Sequence, residues 1–258
     1  MIIDTHCHLD FTEFKDDFSI MLDNAKKNDV LGMQTICTKI EEFPKILNIA
    51  LKQPNIWCSI GTHPHNAEDE DHISKEHILE QCNNDKVIGI GETGLDYFYE
   101  NSKRDIQIKS LYKHIEVSKK TNLPLIIHAR DADDDIIEIL TNEYRKKKFT
   151  GVIHCFTSSQ KLADAALSIG FYISFSGIIT FKNAENIRKS CETIPINKTL
   201  IETDAPFLAP IPFRGKRNEP AYIIETLKKV SEIKNIPLNS TKNITTDNFF
   251  NLFTRAKL

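Results

Sequence analysis

Met1-Ile2-Ile3-Asp4-Thr5-His6-Cys7-His8 opens the chain as a short, largely apolar run that ends on two histidines. The run reads as a β-strand over Met1–Thr5. On extended backbone, side chains two residues apart share a face at about 6–7 Å, so His6 and His8 can both reach one cation. Zinc, for example, takes imidazole nitrogen at about 2.0–2.1 Å. One such pair is weak evidence, but the pattern recurs. The strand-like run Lys86–Gly91 is followed by Glu92, and Leu123–Ile127 is followed by His128. Gly151–His154 ends on His154, and Thr199–Thr203 is followed by Asp204. Five runs therefore finish on a side chain able to bind metal.

Three further strand candidates, Leu31–Thr38, Ile56–Gly61 and Phe171–Ser176, bring the total to eight. Helical patterns separate them: Phe18–Lys27, Glu42–Leu51, Ile73–Cys82, Asp105–Lys120, Ala132–Lys146, Gln160–Ile169, Ala184–Cys191 and Ala221–Ile233. Strict alternation implies a parallel sheet, and right-handed crossovers can close eight strands into a barrel. An open doubly wound sheet alternates in the same way, so periodicity alone does not decide between them. In a parallel barrel the carboxyl ends of all these strands would share one face, where active sites are found. A chain of 258 residues matches the roughly 250 typical of that architecture. No linker divides it, so one domain over residues 1–258 is expected. Ala205–Pro212 reads as a loop after the last strand. Thr245–Lys257 reads as a closing helix that offers Phe249, Phe250, Leu252 and Phe253 for packing.

Composition sets bounds on function. Apolar residues make up 40% and charged residues 27%, values suited to a soluble fold. No apolar run approaches the ~20 residues that span a bilayer, and the start lacks a signal-peptide pattern, so no membrane association and a cytoplasmic location are expected. A net charge of −3 argues against coating nucleic acid by electrostatics alone. A nuclease stays admissible, because bound cations supply local positive charge. Net charge and the lack of a long apolar stripe are compatible with a monomer. The six cysteines include no C-x-x-C and read as reduced thiols. Cys7 and Cys155 adjoin candidate ligands, but strand alternation turns them away.

Gly89-Ile90-Gly91-Glu92-Thr93-Gly94 matches the dinucleotide-binding pattern G-x-G-x-x-G. That motif should open directly into a helix. Here it runs into Leu95-Asp96-Tyr97-Phe98-Tyr99, with no helical pattern before about Ser102. A glutamate inside the motif would also repel a pyrophosphate. No nucleotide cofactor is expected.

Several blocks closely resemble the TatD family of metal-dependent hydrolases. They are Ile3-Asp4-Thr5-His6-Cys7-His8-Leu9-Asp10, Gly61-Thr62-His63-Pro64-His65, Gly91-Glu92-Thr93-Gly94-Leu95-Asp96-Tyr97, Ile127-His128-Ala129-Arg130, His154-Cys155-Phe156 and Glu202-Thr203-Asp204-Ala205-Pro206. The loop Arg214-Gly215-Lys216-Arg217-Asn218-Glu219-Pro220 matches as well. The resemblance covers nearly the whole chain in family order. It implies a (β/α)8 TIM barrel of the amidohydrolase-like type, one or two divalent metal ions, and deoxyribonuclease activity, often 3′–5′ exonuclease. It assigns His6, His8 and Asp204 to one metal and His128 and His154 to the other, with Glu92 bridging. Glu92 and Asp204 would be the catalytic carboxylates. The donor chemistry agrees, since imidazoles suit Zn²⁺ and carboxylates also accept Mg²⁺ and Mn²⁺.

Other residues extend the site. His63 and His65 follow the third strand and would contact substrate or move a proton. Arg130 would grip a phosphate with both arms, and Arg214, Lys216 and Arg217 would follow a DNA backbone. Glu202 shares a strand face with Asp204 and would orient a ligand. Asp10 would do the same, or cap the first helix. Tyr97 or Phe156 would stack on bases. Three functions are compatible with this set. The first is a metal-dependent deoxyribonuclease that trims single-stranded DNA ends. The second is an amidohydrolase acting on a small amide, ester or lactone, and the third is a non-catalytic metal-binding protein.

Overall fold

Strand and helix alternate as expected in a computed structural model that describes residues 1–257. The strands are β1 (Ile2–Cys7), β2 (Val30–Thr35), β3 (Ile56–Ile60), β4 (Val87–Asp96), β5 (Leu125–Arg130), β6 (Gly151–Ile153), β7 (Tyr172–Phe175) and β8 (Thr199–Ile201). The helices are α1 (Phe18–Lys27), α2 (Phe43–Lys52), α3 (Lys75–Gln81), α4 (Arg104–Thr121), α5 (Asp133–Lys146), α6 (Gln160–Ser168), α7 (Glu185–Thr193), α8 (Ile223–Lys234) and α9 (Leu238–Leu252). Each strand pairs in parallel with the next, from β1 to β8. The fold is a (β/α)8 barrel. No helix among the described residues is long and apolar enough to cross a membrane.

The seam between β1 and β8 is fastened partly by side chains. Both carboxylate oxygens of buried Asp4 accept from Thr203, one from its backbone N–H at 2.9 Å and one from its hydroxyl at 2.5 Å. Just beyond, the Asp204 N–H donates to the His6 carbonyl at 2.9 Å and the His8 N–H to the Ala205 carbonyl at 2.8 Å. These bonds set the two ligand-bearing strand ends side by side.

The helices obey local rules. The first turn of α5 carries Asp133, Asp134 and Asp135 and its last turn Arg145 and Lys146, which complements the helix dipole. Its buried Ile136, Ile139 and Leu140 recur at helical spacing and face the barrel. The Ser159 hydroxyl caps α6 by accepting from Leu162 N–H.

The two ends of the barrel differ. At the amino end, Ile3, Trp57, Ile88, Ile126, Val152 and Leu200 form an inner apolar cluster, plugged from below by Phe249, Leu252 and Phe253. The closing helix begins at Leu238, seven residues before the expected Thr245, with Pro237 at its cap. Asn248 ties it to the barrel by donating to the carbonyls of Ile196 and Thr199, each at 2.8 Å. The polar side chains gather at the opposite, carboxyl end.

The strand β4 departs most from expectation. It runs ten residues to Asp96, so Glu92 lies inside it rather than after it. A register shift between Ile90 and Thr93 lets Thr93–Asp96 pair with Ile127–Arg130 of β5. Gly94 makes this approach possible: a Cβ there would sit 1.9 Å from the His128 carbonyl oxygen. The glycines of the apparent nucleotide motif thus serve strand packing.

One buried histidine outside the barrel steadies this face. His114 on α4 accepts the Thr62 N–H at Nε2 (3.1 Å) and donates from Nδ1 to the Ser110 carbonyl (2.8 Å). Accepting at Nε2 needs the neutral ring, and burial lowers its pKa to about 4 from 6.5. The unfolded chain therefore takes up the proton first as pH falls. The stabilisation is full above about pH 6.5 and fades toward about pH 4. Between pH 7 and pH 5 this group should remove about 2 kcal/mol. Urea unfolding of wild type and His114→Gln should show the variant losing less stability over that interval by about that amount. Equal losses would refute the assignment.

Candidate metal centre and active-site cleft

Glu92 occupies the middle of the cluster, with its two oxygens turned toward different histidines. Oε2 lies 3.4 Å from His6 Nε2. Oε1 lies 2.7 Å from His154 Nε2, 3.0 Å from His128 Nδ1 and 3.4 Å from His63 Nε2. Asp204 stands on the His6 side, its Oδ1 3.2 Å from His8 Nε2 and 3.6 Å from His6 Nε2. The rings of His6 and His154 stack with centroids 3.9 Å apart, which joins the two halves. All six residues assigned by resemblance therefore converge. His63 reaches the same centre, closer in than a substrate-contacting role implied.

Two further carboxylates stand behind the histidines. Glu202 Oε1 lies 3.3 Å from His154 Nδ1 and accepts the Cys155 N–H at 2.7 Å. Asp96, fully buried, places Oδ2 3.1 Å from His128 Nε2 and 2.9 Å from His65 Nε2. Glu202 was foreseen and Asp96 was not. The signal for Asp96 was its even spacing from Glu92, which places both on one strand face, but only if the strand continues past Gly91.

Burial alone would raise the pKa values of the central carboxylates, and the histidines outweigh it. His154, His63 and His128 hold Glu92 well below the usual carboxylate range. For Asp204, the His8 hydrogen bond and the charges of His6, His8 and His154 overcome burial and lower the pKa. Burial pushes His63 well below its ordinary value, which favours the neutral ring.

The side chains suit divalent cations. Donor atoms of His6, His8 and Glu92 lie within 4.8 Å of one another, as do those of His63, Glu92 and His128. A third such group is His6, His154 and Glu202. Both ring nitrogens of His6 and Nδ1 of His8 are buried without a hydrogen-bond partner among the described residues. An unpartnered buried polar group costs about 1–3 kcal/mol, and coordination to a cation would remove that penalty. Neutral imidazoles beside ionised carboxylates are the donor set of Zn²⁺ and other transition metals, and the carboxylates also suit Mg²⁺ and Mn²⁺.

The cluster floors a cavity of about 1650 Å³. Phe207, 47% exposed, packs edge-on against Phe11 on the His8 side. On another wall, Arg130 lies over the rings of Phe98 (4.1 Å) and Tyr99 (4.6 Å) and forms no ion pair among the described residues. His65 also lines the cavity, edge-on to Tyr99.

Other expectations need correction. Arg217 holds Asp17 with both arms at 2.7 Å and lies over Phe14. Arg214 lies over Phe181, and neither these two nor Lys216 lines the cavity. The three basic residues fasten or border a loop and do not form a track leading to the cluster. Asp10 does not cap α1, whose N-cap is Asp17. Its Oδ1 and His8 Nδ1 are both buried without partners, so no hydrogen bond links the two here. Phe156 is buried against Phe175 and cannot stack on a base. Tyr97 lines the cavity, with Asp135 2.5 Å from its hydroxyl and Arg104 over its ring. Phe207, Phe98 and Tyr99 are the more exposed aromatic side chains of the cavity lining.

Comparison with known proteins gives a consistent result. A family profile described as "TatD related DNase" matches residues 3–254. The chain is 36% identical to an uncharacterized metal-dependent hydrolase of Escherichia coli, YcfH, over 98% of this chain and 95% of that protein. It is 37% identical to an uncharacterized metal-dependent hydrolase of Bacillus subtilis, YabD, over 98% and 99% respectively. The crystal structure of YjjV, a TatD homologue from Escherichia coli, superposes with a TM-score of 0.92 at 27% identity, covering 98% of both chains.

A cation that binds only the folded protein raises its melting temperature. At a free concentration 100 times the dissociation constant, the gain is about 2.7 kcal/mol, or about 5–10 °C for a chain of this size. Zn²⁺ or Mn²⁺ added to chelator-stripped wild type should produce such a shift, and EDTA should reverse it. In Glu92→Gln the shift should largely disappear. An unchanged response in the variant would remove Glu92 from the centre.

Proposed function

The chain belongs to the TatD related DNase family and is a metal-dependent hydrolase, and from that premise we propose that it cleaves phosphodiester bonds at the 3′ ends of single-stranded DNA. The observation that carries this reading is the Glu92 carboxylate, whose two oxygens face separate sets of donors on the floor of an open, aromatic-walled cavity. In this reading His6, His8 and Asp204 would hold one divalent cation and His128 and His154 another, with Glu92 available to both. Such cations would supply a water acidified toward neutrality, and positive charge to offset the negative charge that builds on phosphoryl oxygens.

The remaining roles fall to the chain. Asp204 is 15% exposed at the cavity floor, and its Oδ1 accepts a hydrogen bond from His8. It orients the attacking water and takes its proton at a carboxylate oxygen. Arg130 lies over the rings of Phe98 and Tyr99 and has no carboxylate partner among the described residues, so its guanidinium is free to pair with a backbone phosphate. Phe207 offers a ring face beside His8 on which the terminal base stacks. An accessible strand end fits this arrangement, because only single-stranded bases can turn onto such a ring.

End-labelled single-stranded DNA with Mg²⁺, Mn²⁺ or Zn²⁺ provides the test. The expected result is stepwise shortening from the 3′ end, abolished by chelator and slowed about 10²- to 10⁴-fold by Asp204→Asn. DNA left intact under every metal, with turnover of a small ester or lactone, would overturn the nuclease reading. Phe207→Ala should raise KM for an oligonucleotide about tenfold, as expected for losing one base–aromatic stack. Its rate on bis(p-nitrophenyl) phosphate, which carries no base, should stay unchanged. Equal effects on both substrates would exclude a stacking role.

A further inference from the structure

We propose that Asp96 is a positioning residue that fixes which ring nitrogen His128 presents to the metal centre, and that it anchors the aromatic wall of the cavity through the same carboxylate. The proposal rests on reading His128 as a metal ligand.

The geometry assigns a separate task to each oxygen. Oδ1 accepts the backbone N–H groups of Phe98 at 3.1 Å and Tyr99 at 2.9 Å. Oδ2 lies 2.9 Å from His65 Nε2 and 3.1 Å from His128 Nε2. The backbone N–H of Asp96 donates to Gln107 Oε1 at 2.8 Å, and the Gln107 amide donates back to the Asp96 carbonyl at 3.2 Å. Asp96 is fully buried and held from both sides.

An ionised carboxylate only accepts hydrogen bonds. Both histidines must therefore carry hydrogen on Nε2 to satisfy Oδ2. For His128, this leaves Nδ1 as the nitrogen with a lone pair to offer, and Nδ1 is the one 3.0 Å from Glu92 Oε1. His154 shows the opposite arrangement, with Nδ1 toward Glu202 and Nε2 toward Glu92. The two histidines present different nitrogens because their backing carboxylates come from different places. Asp96 sits on the extension of β4, and Glu202 just past β8.

The same arrangement predicts what an amide does at this position. Backbone N–H groups only donate, so the oxygen of an asparagine must stay where Oδ1 is. Its NH₂ group then faces His65 and His128, and both must accept at Nε2. In neutral His128 the proton moves to Nδ1 and occupies the lone pair that faces the centre. A substitution of one atom, with the shape retained, thus reverses the tautomer. The rings of Phe98 and Tyr99 carry Arg130, so the wall proposed to bind phosphate hangs from the same group.

The first test uses wild-type protein labelled with ¹⁵N-histidine and loaded with Zn²⁺, read by long-range ¹H–¹⁵N correlation, with His128 assigned from its loss in His128→Gln. The expected spectrum has His128 coordinated through Nδ1 and protonated on Nε2. Coordination through Nε2 would overturn the proposal. If neither nitrogen responds to Zn²⁺, the proposal falls along with His128 as a ligand. The second test is chelator competition for Zn²⁺. Asp96→Asn should weaken the affected site 10- to 100-fold, whereas His65→Gln, which leaves Asp96 on His128, should weaken it far less. Wild-type affinity in a folded Asp96→Asn protein would also overturn the proposal. Neither readout involves DNA, so a protein that binds zinc as described but spares DNA would sink the nuclease reading alone.

Discussion

A buried carboxylate among four imidazoles is the constraint on which the rest of this molecule depends. Glu92 is 2% exposed, and an ion so placed loses several kcal/mol of hydration unless other groups replace it. The replacement comes from His6, His63, His128 and His154, delivered by β1, the turn after β3, β5 and the end of β6. No single supersecondary unit supplies such a set. A parallel barrel does, because it brings every strand's carboxyl end to one rim. Of these, His128 and His154 are held from behind by Asp96 and Glu202. The interior becomes apolar toward the other end.

The fold was largely legible because its signals are local. Hydrophobic runs, their spacing and the residues that end them all lie within short windows, and α1 begins and ends at the expected residues. The six ligand candidates were legible for the same reason, each marking the end of an apolar run. Asp96 was missed because the true end of β4 depends on a register shift and on Gly94 pressing against β5, neither visible from one strand alone. Arg217 misled in the reverse sense. Its basic neighbours suggested a track for phosphates, but its partner is Asp17, two hundred residues earlier in the chain. Pairings across that separation belong to the closed barrel and leave no trace in composition.

The aromatic residues show the same limit. Phe156 and Phe207 look alike in sequence, yet one fills the space against Phe175 and the other stands on the cavity wall. Burial depends on which helix covers a strand end, and the sequence pattern specifies that only after the whole barrel has closed. Chemistry-bearing residue types are therefore easier to find than the surfaces that select what reaches them.

The plug formed by Phe249, Leu252 and Phe253 has a consequence for traffic. With apolar side chains filling that end, the barrel interior offers no passage through the molecule, and the cavity lies at the carboxyl rim. Any substrate longer than the cavity would keep its remainder outside the rim.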